Sequence, residues 1–77
     1  MNAEECSVRR SAVLEAVSKL FEKLERPLTI QEVADEAGVS RSATHRYIVW
    51  LWSNRQVDRT QDEKNGSIVP AGIGARW

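Results

Sequence analysis

Apolar residues recur at helical spacing in three successive stretches of this chain and then switch to alternation. Val13, Val17, Leu20 and Leu24 form the first stripe, flanked by Leu14 and Phe21. It predicts a helix from about Glu4 to Glu25, with Glu15, Lys19, Glu22, Lys23 and Glu25 mostly on the solvated side. Asn2 and Glu5 have capping-box spacing at its start, and Pro27 stops it.

The second stretch has a sharp beginning. Thr29 as N-cap and Glu32 at the third helical position make a reciprocal capping box, and Leu28 and Val33 can close a hydrophobic staple across it. Ile30, Val33, Ala34 and Ala37 face inward over a helix of about residues 30–37. Gly38 follows, where the chain must turn with positive φ. Ala34 is small enough for the next helix to cross closely.

Ser40 caps a third helix that runs over about residues 41–54. At about 100° per residue, Thr44, Tyr47, Ile48 and Leu51 share the core side. Ser42, Arg46, Val49 and Ser53 lie opposite, with His45 beside them and Arg41 on the flank of the open first turn. No glycine ends this helix, so Asn54 or Arg55 must end it, and Asn54 in the left-handed conformation is the expected cap.

Alternation then takes over. Val57-Asp58-Arg59-Thr60 reads as an edge strand, Asn65-Gly66 as a hairpin turn signal, and Ser67-Ile68-Val69 as the return strand ended by Pro70. Leu28 and Thr29 could add a short third strand. The fold class is mainly α with a small β-hairpin: a three-helix winged helix-turn-helix, with the wing at about residues 57–70 and a tail at 71–77. Its second motif helix can enter the major groove of DNA.

Length and charge sharpen this picture. Seventy-seven residues make one small domain with a thin core, for which dimerisation would add stability. Net charge is zero, which taken alone argues against nucleic acid. The distribution does not. Residues 1–38 carry five bases and eight acids, a net of −3, and residues 39–77 carry six bases and three acids, a net of +3. The half proposed to meet DNA is the basic half, with few phosphate contacts to offer. No apolar run is long enough to span a membrane, and the first ten residues do not read as a signal peptide. Cys6 is the only cysteine, so no internal disulfide forms, in keeping with a reducing cytoplasm.

Candidate chemistry gathers on the third helix and the wing. Arg41 and Arg46 can donate bidentate hydrogen bonds to guanine or pair with phosphate. Ser42 and His45 can reach a base edge or a phosphate, or stay as plain surface residues. Val49 suits a thymine methyl group. Arg59 and Lys64 are phosphate candidates on the wing, where Asp62 and Glu63 oppose them. Trp50 and Trp77 are candidates for a dimer interface, or they enlarge the core and pin the tail, and Trp52 is expected at the core edge. Ser40 is needed as a cap. No acid is placed to orient His45 behind a serine nucleophile, and no ligand spacing suits a metal, so neither an enzyme nor a metal or cofactor site is expected.

Residues 11 to about 60 resemble the N-terminal DNA-binding domain of IclR-type regulators. The likeness rests on Pro27-Leu28-Thr29, Glu32-Val33-Ala34, Gly38-Val39-Ser40-Arg41-Ser42 and His45-Arg46. It also covers the spacing of Ala34, Gly38 and Val39, with Tyr47 and Ile48 in the usual apolar places. Three departures stand out. Thr44 replaces a branched apolar residue, Asn54-Arg55-Gln56 replaces a glycine-apolar pair, and a stand-alone module without an effector domain is expected. The resemblance implies a sequence-specific regulator of transcription, expected to be a prokaryotic or phage repressor. Arg41, Ser42, His45, Arg46 and Val49 would read double-stranded DNA, in a homodimer without a small-molecule effector. A protein-interaction adaptor and an architectural or recombination-directing DNA binder are the alternatives.

Overall fold

The computed structural model describes residues 3–60 and 66–72, with side chains from residue 7 onward. The first stripe folds as α1 (Ala3–Leu24), the capped stretch as α2 (Ile30–Ala37) and the third as α3 (Arg41–Ser53). The alternating residues form β1 (Val57–Arg59) and β2 (Ile68–Pro70), which pair antiparallel with Val57 opposite Pro70 and Arg59 opposite Ile68. Three helices followed by this hairpin make a winged helix-turn-helix.

Core residues come from every element. Val13, Ala16 and Val17 of α1 meet Leu28, Val33 of α2, Ile48 and Leu51 of α3, and Val57 and Ile68 of the hairpin, all nearly inaccessible to water. Each large aliphatic side chain buried this way contributes about 1.5–3 kcal/mol relative to its exposed state. The α1 stripe is shorter than the sequence suggests. Leu24 is exposed because the helix runs past the core, ending in Glu25 with a left-handed φ of 52°. Ala16, outside the predicted stripe, is buried instead. Small size lets the neighbouring elements close over it.

The start of α2 is heavily determined. Glu32 N–H donates to Thr29 Oγ1 at 3.1 Å, and Thr29 N–H donates to Glu32 Oε1 at 3.0 Å, which completes the capping box. At the other end Gly38 (φ 69°) donates its N–H to Ala34 O, as does Val39. No atom lies near a Cβ built on Gly38, so the glycine is required by backbone angle and not by space.

The hairpin is fastened to this same region. Leu28 donates its N–H to Ile68 O at 2.8 Å, and Leu28 O accepts from Ser67 and Ile68 N–H. Leu28 thus makes a single antiparallel bridge to Ile68 of β2, and the expected third strand is reduced to that one residue beside a two-stranded sheet. Gly66 (φ 97°) makes the approach possible, because a Cβ there would overlap the Leu28 carbonyl group and the Thr29 nitrogen. Asn65, its partner in the sequence turn signal, lies outside the described residues, as do Asn2 and the tail beyond residue 72.

Helix α3 ends differently from expectation. Asn54 has an ordinary backbone (φ −95°), and Arg55 takes the left-handed position with φ 59°. The Asn54 side chain caps the helix instead, its Nδ2 donating to Trp50 O at 2.8 Å. Gln56 N–H then closes back on Leu51 O.

Candidate nucleic-acid interface

Packing fixes which side of α3 is free. Thr44, Ile48 and Leu51 are buried and Tyr47 is half-buried, which turns Arg41, Ser42, His45, Arg46 and Val49 outward, all exposed. Ser40 accepts from Ala43 N–H at 3.2 Å, so its hydroxyl serves the helix. Ser53 donates to Val49 O at 2.9 Å and is likewise engaged. Among the described residues, the side chains of Arg41, Ser42, His45 and Arg46 have no hydrogen-bond or ion-pair partner. No acidic residue lies in the first turn of α3. A row of outward donors next to a helix N-terminus is suited to an anionic partner.

Both flanks of this row carry an arginine stacked on a tryptophan. On the wing side, the Arg59 guanidinium lies 5.5 Å from the Trp52 ring centroid, and its Nε and Nη2 donate to Ser67 Oγ at 3.3 and 3.1 Å. On the α1 side, Arg10 lies 3.8 Å from the Trp50 ring centroid. Trp50 and Trp52 are 40% and 49% exposed, so Trp52 is not a core-edge residue. Its ring is a platform for Arg59. Sequence reasoning missed Arg10, whose partner is 40 positions away in the chain and visible only once α1 and α3 pack together. Lys64 and Trp77 lie outside the described residues.

The scaffold beneath is held by a charge pair that the sequence also did not disclose. Arg26 Nη1 donates to Glu32 Oε1 at 2.9 Å, its Nη2 donates to Oε2, and Nη1 reaches Pro27 O at 3.0 Å. The Arg26 guanidinium, with the Thr29 backbone N–H, holds the Glu32 carboxyl well below the usual range, to about 2. Glu32 therefore keeps its charge, and with it the cap that orients α2 under α3.

Other surfaces are less suited to DNA. An open groove of about 650 Å³ between α1 and α2 is edged by Glu15, Glu22 and Glu36 with only Lys19 in opposition, and includes no residue of α3. Among the described residues no three histidine, cysteine or acidic side chains come together to hold a metal ion, and no helix is long and apolar enough to cross a membrane.

A winged helix-turn-helix whose second motif helix turns unpaired arginines outward defines the DNA-binding module of a transcription regulator. Residues 12–60 match the IclR helix-turn-helix domain, more than half of the chain, and the chain belongs to that family. No curated protein and no solved structure shows a significant match to it.

Proposed function

We propose that the protein is a sequence-specific repressor that reads double-stranded DNA with the outer side of α3. Arg41, Ser42, His45, Arg46 and Val49 carry the readout in the major groove, and Arg59 and Lys64 of the wing contact the backbone. The observation that carries this reading is the row of exposed, unpartnered side chains on α3, bounded by buried residues that fix its direction. Residues 1–77 act as a single winged-helix unit. One such unit covers only about 600–1,000 Å² of DNA-facing surface, so useful affinity calls for a homodimer on two half-sites about one helical turn apart. Arg10 already covers one face of Trp50, which makes that ring a poor dimer anchor, and the homodimer pairs through another surface.

Selection of bound duplexes from a random pool, repeated with Arg46→Ala, tests the reading. If Arg46 meets a base, one position of the enriched site loses its preference, at a cost of about 1–3 kcal/mol. Failure to enrich any sequence with the native protein overturns the proposal, and leaves the adaptor role as the reading to pursue.

A further inference from the structure

We propose that Arg10 and Arg59 form a two-sided phosphate clamp. Each guanidinium is seated on a tryptophan of α3, and each meets the backbone of a different DNA strand. This inference rests on the duplex-binding reading above.

The geometry begins with the helix itself. Trp50 and Trp52 are two positions apart and so point about 200° apart around the axis. Relative to the outward line through Ser42, Val49 and Ser53, Trp52 lies about 80° to one side and Trp50 about 80° to the other. The rings therefore straddle the reading face. Each has recruited an arginine from a different element: Arg10 from α1 at 3.8 Å and Arg59 from β1 at 5.5 Å. An α-helix with its side chains is about 10–12 Å across, and the major groove is about 12 Å wide. A helix lying there fills the groove from wall to wall, and its two flanks face the two phosphate strands.

Stacking suits this task. A guanidinium held over a ring by its π-face keeps its edge N–H groups available, and the ring restricts its motion before any partner arrives. Arg59 uses Nε and Nη2 on Ser67 Oγ, which leaves Nη1 without a hydrogen bond among the described residues. Beside Arg10 a small notch of about 180 Å³ opens, with Ser11 and Gln56 as further donors on its wall. Neither arginine forms an ion pair with an acid among the described residues. Arg10 lies outside the segment that matches the family. Trp50 and Trp52 act as positioning residues, and Ser67 does the same for Arg59.

A duplex enriched by the native protein from a random pool serves as the probe, with affinity measured between about 50 and 200 mM salt. Arg10→Gln and Arg59→Gln each lower the slope of log affinity against log salt by about 0.9, and each weakens binding about fivefold near physiological salt. Arg10→Lys keeps the slope. Trp50→Leu weakens binding of the otherwise native protein and has no effect once Arg10 is Gln, a coupling that a merely structural tryptophan would not show. Single methylphosphonate substitutions locate the contacts: neutral phosphates that cancel the Arg10 contribution fall on one strand, and those that cancel the Arg59 contribution fall on the other. A full slope in a folded Arg10→Gln protein overturns the clamp, as does mapping of both arginines to one strand. If Arg10→Gln fails to melt cooperatively, Arg10→Met keeps the aliphatic stem and the same readouts decide. A native protein that binds no duplex removes the reading beneath the clamp, whereas one that binds with its slope indifferent to Arg10 removes the clamp alone.

Discussion

The start of α2 and the outer side of α3 are built on opposite principles. Around residues 26–32 the polar groups answer one another: Leu28 is bonded through both N–H and C=O to the hairpin, Thr29 and Glu32 cap each other, and Arg26 grips Glu32 with both terminal nitrogens. Along α3 the outward donors Arg41, Ser42, His45 and Arg46 have no partners among the described residues. Even its inward side leaves the fully buried Thr44 Oγ1 without a hydrogen bond. Local satisfaction fixes geometry, and local vacancy leaves donors for something outside the fold. Changes at the first region should therefore register as stability, and changes on the outer side of α3 as binding.

Gly66 is the severest test of the first region. Gly66→Ala forces a Cβ into the Leu28 carbonyl at a positive φ, and should destabilise by about 3 kcal/mol or more. Denaturant unfolding would show it, and a native-like midpoint would mean that the hairpin is not fastened at Leu28. Thr44→Val reverses the sign. It replaces an unpaired buried hydroxyl with a methyl group of similar shape and should stabilise by about 1–2 kcal/mol. A loss of stability there would show that the hydroxyl has found a partner in solution.

The smallest effect concerns Glu32. Its carboxyl is held below the ordinary value of 4.5, at about 2, by Arg26 and the Thr29 N–H. A depressed carboxylate adds stability that is complete above about pH 4.5 and fades as pH falls towards 2. Because the pair is partly solvated, Glu32→Gln should cost only about 0.5–1 kcal/mol at neutral pH. The difference from native should shrink across that acid window. A constant difference from pH 7 to pH 2 would mean that the cap, and not the charge, is what Glu32 supplies.

The fold was largely legible because its signals are local. The capping box at Thr29, the turn at Gly38 and the core side of α3 each depend on residues within a few positions of one another, and the structure reproduces all three. What could not be read joins distant parts of the chain. Arg10 on Trp50, Arg59 between Trp52 and Ser67, and Gly66 against Leu28 appear only after the elements dock. Two local expectations also gave way to tertiary context. Leu24 falls beyond the end of the core, and Asn54 turns its amide back onto the Trp50 carbonyl, which passes the left-handed position to Arg55. Of the candidate contacts, Ser42, His45, Arg46 and Val49 share one exposed side because a helix repeat alone is enough to group them, whereas Arg41, on the flank by that repeat, is exposed because the first turn of α3 is open.

Leu28 has a mechanical consequence. One residue, bonded through the peptide groups on both its sides, serves as the bolt between the hairpin and the cap of α2. The base of the hairpin cannot swing without loosening that helix as well. When the protein meets a stiff partner, its reading helix and hairpin base therefore arrive at a preset spacing, and any yielding falls to the hairpin's far end or to the partner itself.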